Sequence, residues 1–308
     1  MKILMDTIIL IICFIIIGKG AIWLVDSASK LAKRMGVSEL MIGLTIIAFG
    51  TSAPEFGVTI YAAFKGVGDI SVGNIIGSNI FNLGIILGTT AIIQNLKVSN
   101  SIVYRDGFFL LIGSIIAVVF LWDLELNKVE GIILFSLLFV YLGFLYYNNH
   151  VVENEIQTKE FRGKDIFLLI LGLAMLLIGS HFLVLSAVNL ATALGISKWI
   201  IGATIIAAGT SAPEIATSVT ALIRGHHGIS LGNLIGSDIF NLFGVLGLAA
   251  IIRNLPIEMA ARSSLVILIL MVVLVVIFLR TGWVLSRKEG IILVIFGLAR
   301  WAYNFIIQ

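Results

Sequence analysis

Long apolar stretches separated by short polar segments run along the whole chain. About ten of these stretches reach roughly 17 to 25 residues, the length at which an α-helix crosses the hydrocarbon core of a bilayer. Lipid offers peptide groups no hydrogen-bond partner, so each stretch can span the membrane only as a helix. The pattern predicts an all-α integral membrane protein with about ten transmembrane helices, placed in the cell membrane as a multi-pass protein.

The boundaries of the predicted spans are accurate to a few residues. The spans are Thr7–Val25, Glu39–Phe64, Ile70–Ile93, Ser101–Trp122, Val129–Tyr147, Asp165–Leu185, Trp199–Ile223, Ser230–Ile252, Ser263–Leu279 and Glu289–Ile307. Composition agrees, because 59% of the residues are apolar, the mean hydropathy is +1.12 and only 12% are charged. The net charge of +3 does not indicate an anionic partner, since in a membrane protein the placement of basic residues matters more than their sum. We expect a lipid bilayer around the chain, and no nucleic acid.

Two motifs occur twice along the chain, 159 positions apart. GLTIIAFGTSAPE at Gly43–Glu55 returns as GATIIAAGTSAPE at Gly202–Glu214, and GNIIGSNIFN at Gly73–Asn82 returns as GNLIGSDIFN at Gly232–Asn241. Such self-similarity at a fixed offset indicates an internal repeat. Each half contains five predicted spans, an odd number, so the second half enters the membrane from the opposite side. We therefore predict inverted five-helix repeats, related by a pseudo-twofold axis in the membrane plane.

The most polar segment, NNHVVENEIQTKEFRGK, lies between the fifth and sixth spans. The predicted organisation is a first repeat at 1–147, a linker at 148–164 and a second repeat at 165–308. With both termini external, the basic residues on the cytoplasmic side outnumber the external ones about twofold, which favours this orientation and a cytoplasmic linker. The cytoplasmic set is Lys30, Lys33, Arg34, Lys97, Arg105, Lys159, Arg162, Lys164, Arg224, Arg280, Arg287 and Lys288, and the external set is Lys2, Lys65, Lys128, Lys198, Arg253 and Arg262.

Each copy of the first motif places a glutamate, Glu55 or Glu214, in the middle of an apolar span. An ionisable side chain at this depth costs at least about 2.5 kcal/mol and marks a functional site by default. No predicted span offers a basic residue at comparable depth to pair with either carboxylate. We therefore interpret both glutamates as parts of a site.

The residues around each glutamate supply further oxygen ligands. Pro54 and Pro213 remove an amide donor from the helix, so we expect backbone carbonyls around Ala48 and Ala207 to lack partners. Helical spacing places two hydroxyls on the same face as each carboxylate. They are Thr51 and Ser52 beside Glu55, and Thr210 and Ser211 beside Glu214. Carboxylate, carbonyl and hydroxyl together are ligands for a hard cation such as calcium or sodium.

The second motif adds a hydroxyl and an amide at a spacing of four residues, Ser78 with Asn82 and Ser237 with Asn241. Its glycines, Gly73, Gly77, Gly232 and Gly236, let a neighbouring helix approach closely. Packing seams with polar side chains between helices are the alternative interpretation of this motif.

The doubled GTSAPE and GS(N/D)IFN motifs resemble the two alpha repeats of the calcium/cation antiporter superfamily, in particular its prokaryotic sodium/calcium exchanger branch. The resemblance covers essentially the whole chain. It implies secondary active exchange of sodium for calcium, with four cation sites in a diamond at the midplane. Glu55, Glu214, Asn82 and Asn241 would form these sites, completed by Thr51, Ser52, Thr210, Ser211, Ser78, Ser237 and the carbonyls of Ala48 and Ala207. It also implies alternating access, in which the first and sixth helices slide as a pair.

One departure concerns the cation preference. Family members often carry an aspartate where this chain has Asn241, whereas here Asp238 lies three residues earlier. On a helical wheel Asp238 either borders the site or faces a neighbouring helix. Coupling to protons or potassium is therefore the alternative to sodium coupling.

Other classes of protein fit less well. A cation channel commonly builds its pore around an oligomer axis, whereas this chain completes its site from its own halves and can function as a monomer. A carboxylate-dyad intramembrane enzyme would carry a paired-aspartate or HExxH signature, and neither occurs. We predict no enzymatic activity and no cofactor; the oligomeric state is not specified by the sequence.

Overall fold

The computed structural model describes residues 2–147, 161–196 and 207–307, and it is all-helical apart from four two-residue strands. The helices are α1 Lys2–Met35, α2 Glu39–Thr51, α3 Ala53–Lys65, α4 Gly68–Ile93, α5 Ile102–Asp123, α6 Lys128–Tyr147, α7 Gly163–Ala193, α8 Ala207–Thr210, α9 Ala212–Ile223, α10 His227–Ile252, α11 Ala261–Arg280 and α12 Arg287–Ile307. The strands are β1 Leu96–Lys97, β2 Glu125–Leu126, β3 Leu255–Pro256 and β4 Val284–Leu285.

Seven helices among the described residues are long and apolar enough to cross a membrane: α1, α4, α5, α6, α7, α10 and α11. The pair of α2 and α3, bent by 50°, makes an eighth candidate span. The predicted seventh span is described only from residue 207 onward, as α8 and α9, and the predicted tenth coincides with α12. The all-α membrane class is confirmed.

Two helices extend beyond their predicted ends. α1 continues to Met35 because the residue that ends it is Gly36, which has a φ of +66°. The Val37 amide then donates to the Ala32 carbonyl and completes the end of the helix. α7 begins at Gly163, two residues inside the predicted linker, and ends at Ala193. Most of that linker, 148–160, lies outside the described residues.

α1 and α7 form a close antiparallel pair. A Cβ atom on Gly20 would lie 2.9 Å from the Gly172 carbonyl oxygen, so the backbones touch at this crossing. A polar contact closes each end of the pair. Lys30 Nζ bonds Asp165 Oδ1 at 2.7 Å at one end, and Asn189 Nδ2 bonds Asp6 Oδ1 at 3.2 Å at the other.

Short antiparallel ribbons join the two halves of the chain. β1 pairs with β4, and β2 pairs with β3, so each ribbon takes one strand from each half. The residues of β1 and β2 lie 159 positions before those of β3 and β4, respectively. The two ribbons are therefore equivalent contacts under the sequence repeat.

α4 and α10 form the centre of the molecule. In each helix, 78% of the most apolar 18-residue stretch is buried, against 28–33% of the corresponding stretch in α1, α6, α7 and α11. Gly232 and Gly236 of α10 touch α2, because Cβ atoms there would lie 2.6 Å from the Leu40 carbonyl oxygen and the Leu44 Cα. In α4, no described atom lies within 4 Å of a Cβ at Gly73 or Gly77. The predicted close approach is therefore found for Gly232 and Gly236, whereas the segment of the second half that corresponds to the start of α2, 198–206, lies outside the described residues.

We expect Gly20→Ala to lower the stability of the protein by about 1–3 kcal/mol, because the new methyl group would overlap the Gly172 carbonyl and the Met175 side chain. Gly18→Ala in the same helix is the matched control, since no described atom lies within 4 Å of its Cβ position. Thermal unfolding in detergent measures both. Equal melting temperatures for the two variants would contradict the close crossing of α1 and α7.

Candidate functional site

Helix breaks in equivalent places form the framework of the site. Between α2 and α3, Ser52 has φ −76° and ψ 8°, and between α8 and α9, Ser211 has φ −86° and ψ 10°. Pro54 and Pro213 lie in the first turn after each break, where a missing amide hydrogen removes no helical bond. Sequence reasoning located this interruption correctly.

The carbonyl of Ala48 has a partner, contrary to the expectation from sequence. It accepts the Ser52 amide at 3.1 Å, because the helical turn continues up to the break. Thr51 Oγ1 and Ser237 Oγ also approach it, at 3.4 and 3.5 Å. The oxygen therefore lies among the predicted site residues, but it is not free. Of Ala207, the first residue of α8, only the backbone is described.

Glu55 and Glu214 lie next to the two helix breaks, and each side chain is only 1% exposed. Ser211 Oγ donates to Glu55 Oε1 at 3.2 Å, and Ser52 Oγ donates to Glu214 Oε1 at 3.4 Å. Thr210 also lies close to Glu55, and Thr51 lies close to Glu214. Each carboxylate is thus held by hydroxyls of the opposite half.

Neither glutamate forms an ion pair with any residue that the structure describes. Other buried acidic groups do have cationic partners: Arg105 contacts both oxygens of Asp106, at 2.8 and 3.0 Å, and Lys30 contacts Asp165. The two glutamates therefore differ from Asp106 and Asp165, whereas Asp6, which bonds Asn189, also has no basic partner among the described residues.

The asparagines of the second motif are oriented across the two halves in the same way. Asn82 Nδ2 donates to Asp238 Oδ1 at 2.9 Å, and Asn241 Nδ2 donates to Asn79 Oδ1 at 3.1 Å. Ser78 Oγ lies 3.5 Å from Asn241 Nδ2. Asn82 and Asn241 also lie in widened π-helical turns, 82–86 and 240–246, a feature frequent at functional sites.

The two glutamates and the two motif asparagines share an unusual property. Each keeps one buried oxygen without a hydrogen-bond partner among the described residues, and so does Asp238. These atoms are Glu55 Oε2, Glu214 Oε2, Asn82 Oδ1, Asn241 Oδ1 and Asp238 Oδ2. A buried polar atom without a partner is costly, so five of them in one region indicate a missing ligand.

The chemistry of these oxygens favours a hard cation. In the described ranges, no three His, Cys, Asp or Glu side chains converge as a metal cluster. A cation here would therefore be bound by separated carboxylates together with amide, hydroxyl and carbonyl oxygens, which suits calcium or sodium better than a soft metal.

Sequence reasoning missed Asn74 and Asn233, which connect the motifs. Asn74 Nδ2 bonds the Glu55 carbonyl at 3.1 Å and Thr59 Oγ1 at 2.9 Å. Asn233 bonds the Glu214 carbonyl, and its Oδ1 accepts Thr51 Oγ1 at 2.9 Å. The available signal was their place in the repeated GN pair, one turn before Ser78 and Ser237.

The protein-family model described as "Sodium/calcium exchanger protein" matches residues 5–147 and 164–298. The chain belongs to the sodium/calcium exchanger protein family. The family confirms the resemblance drawn from the two repeated motifs.

Individual members of the family are similar over nearly the whole length. "Sodium/calcium exchanger MaX1" of Methanosarcina acetivorans is 33% identical, covering 94% of this chain and 96% of the relative. "Putative antiporter CaxA" of Alkalimonas amylolytica is 36% identical, covering 94% and 95%. A solved structure of the sodium-calcium exchanger NCX_Mj, soaked with 2.5 mM Na+ and 0.1 mM Ca2+, superposes with a TM-score of 0.88 at 30% identity and covers 99% of both chains.

We expect Glu214→Gln to raise the melting temperature in a buffer free of sodium and calcium, because it removes a buried charge that has no described counter-charge. Asp106→Asn is the matched control. It leaves Arg105 without its acidic partner and should lower stability by about 3 kcal/mol. Thermal unfolding of both variants tests the contrast, and a destabilised Glu214→Gln would contradict it.

Proposed function

We propose that this protein is a secondary active antiporter that exchanges sodium for calcium at the buried polar site between its two halves. The observation that carries the proposal is the meeting of Glu55 and Glu214, buried and without described counter-charges, each with an unpartnered oxygen. Membership of the exchanger family supports it, as do relatives named as a sodium/calcium exchanger and an antiporter. On this proposal the chain is a transporter with no resident cofactor.

The geometry supports the proposed ligands. Glu55 and Glu214 supply negative charge, and the oxygens of Asn82 and Asn241 that lack hydrogen-bond partners supply neutral acceptors. The hydroxyls and carbonyls that surround them complete the set, and Asp238 borders it through Asn82. The additional proposed ligands are Thr51, Ser52, Thr210, Ser211, Ser78, Ser237 and the carbonyls of Ala48 and Ala207.

Charge compensation couples the two ions. Glu55 and Glu214 are neutralised either by one calcium ion or by two sodium ions, so either load compensates the charge of the glutamate pair. An empty site would carry unpaired carboxylates in a low-dielectric region, a state that costs several kcal/mol. The empty protein therefore rarely changes its accessible side, and each calcium ion is exchanged for sodium.

Alternating access on this proposal moves α1 and α7 together across the rest of the protein. Their contact at Gly20 and Gly172 and the polar contacts at both ends of the pair support movement as one unit. The site residues lie outside this pair, on α2, α3, α4, α8, α9 and α10. Movement of the pair would open one side of the site and close the other without dismantling it.

We further propose ten transmembrane helices in two inverted repeats, 1–147 and 165–308, with a cytoplasmic linker at 148–164 and both termini external. Pairs of contacts between the two halves that are equivalent under the sequence repeat support this arrangement. The ribbons β1–β4 and β2–β3 are such a pair, and so are the Ser211–Glu55 and Ser52–Glu214 bonds. Antiparallel packing of α1 and α7, the first and sixth predicted spans, also agrees with it.

The exchange is tested in proteoliposomes with radiolabelled calcium and an imposed sodium gradient. We expect calcium uptake to require the sodium gradient and to be lost in Glu55→Gln. The variant has one negative charge fewer, so one calcium ion or two sodium ions would leave one positive charge uncompensated in the buried site. Glu258→Gln, which neutralises an exposed carboxylate, is the control and should transport normally. Uptake that needs no counter-ion would support a channel instead, and coupling to imposed proton or potassium gradients would support the alternative exchangers.

The orientation is tested with single cysteines in a Cys13→Ala background, since Cys13 is the one cysteine of the chain. In right-side-out vesicles, we expect an impermeant maleimide to label Lys128→Cys and not Lys97→Cys, because these exposed residues lie on opposite predicted sides. Permeabilised vesicles, in which both should react, are the control. The reverse labelling pattern would contradict external termini.

A further inference from the structure

Asp238 is a buried carboxylate that the two-glutamate scheme does not use. It is 0% exposed, and it lies on α10, the central helix that also carries Asn241. Its position corresponds to Asn79 in the first half, so at this point the two repeats differ by one negative charge. No residue in the described part of the chain forms an ion pair with it.

The contacts of Asp238 direct it toward the site. Its Oδ1 accepts Asn82 Nδ2 at 2.9 Å, and its backbone carbonyl accepts Asn79 Nδ2 at 3.1 Å. Because a carboxylate only accepts hydrogen bonds, Asn82 must direct its Nδ2 toward Asp238. Asn82 Oδ1 therefore faces away from Asp238. That oxygen has no hydrogen-bond partner within 2–147, 161–196 and 207–307. Asp238 therefore orients one of the proposed cation ligands.

The second carboxylate oxygen of Asp238 indicates a separate cation-binding position. Oδ2 is buried and has no hydrogen-bond partner among the described residues. The charge of Glu214 also acts on this carboxylate, which places both groups within one electrostatic environment. A charge that is buried beside another of the same sign and lacks a basic neighbour requires a positive ion for compensation.

We propose that Asp238 is the third carboxylate of the cation site and sets its cation preference, with Oδ2 binding a cation beside Asn82. This rests on the proposed function. One calcium ion neutralises the two glutamates but leaves Asp238 uncompensated, so the calcium-loaded site holds an additional monovalent cation. Without calcium, three sodium ions fill the site. The neutral Asn79 provides no such position in the first half.

The test compares the wild type with Asp238→Asn in detergent solution, by calorimetric titration with calcium and by binding of radiolabelled sodium in calcium-free solution. The variant keeps an acceptor for Asn82 but removes the charge. We expect calcium affinity to fall about tenfold to a hundredfold. We also expect the Hill coefficient for sodium binding to fall from about three to about two. A merely structural role would not change the number of bound sodium ions.

Two further variants control the comparison. Asp69→Asn neutralises an exposed carboxylate and should leave both measurements unchanged. Asp238→Asn combined with Asn79→Asp moves the charge to the equivalent position of the first half, beside Asn241, and should restore the calcium affinity. If Asp238→Asn does not fold, Asn79→Asp alone is measured, and it should tighten calcium binding.

Calcium affinity within twofold of the wild type together with an unchanged sodium Hill coefficient in Asp238→Asn would overturn the proposal. If Asp238→Asn does not fold, unchanged calcium affinity in Asn79→Asp would overturn it. These outcomes are independent of transport. Wild-type protein that binds calcium through Asp238 but fails to exchange it for sodium in proteoliposomes would overturn the proposed function and leave this inference standing.

Discussion

The structure depends on one electrostatic constraint, which is that two glutamates lie buried in a lipid-embedded protein without a described basic partner. Taking such charges out of water costs several kcal/mol each unless other groups compensate. Hydroxyl groups at the two helix breaks supply part of this compensation, through the Ser211–Glu55 and Ser52–Glu214 bonds. The remaining oxygens have no hydrogen-bond partner in the described part of the chain, so the protein itself compensates the two charges only in part.

The repeat explains how a single chain meets this constraint. A broken helix can present its own hydroxyls and carboxylate on one face, but it cannot surround that carboxylate from the other side. The equivalent break of the second half supplies the opposite face, and α4 and α10 add the amides of Asn82 and Asn241. Each half thus provides polar groups that contact the carboxylate of the other half, and the glycines of α10 let α2 come close enough for Thr51 to reach Ser237.

Much of this was predictable from sequence because it depends on local order along the chain. Apolar length located the seven long helices and the bent pair of α2 and α3, and the two motifs drew attention to both glutamates and their hydroxyl neighbours. Spacing within one helix says nothing of partners across the fold, so the crossed serine contacts and the roles of Asn74 and Asn233 were not predicted. The bonded state of the Ala48 carbonyl was also missed, since a proline does not reveal where the preceding turn ends.

The two halves contribute equivalent strands to the two ribbons but differ in charge, and this difference affects how such a protein cycles. The α1–α7 pair is closed at one end by the Lys30–Asp165 ion pair and at the other by the Asn189–Asp6 bond between an amide and a carboxylate. Hydrogen bonds with both partners charged are generally the stronger ones. Perfectly symmetric repeats would give the two accessible states equal energies. Unequal charges at equivalent positions bias one of them, and Asp238 opposite Asn79 places the same kind of inequality inside the ion site.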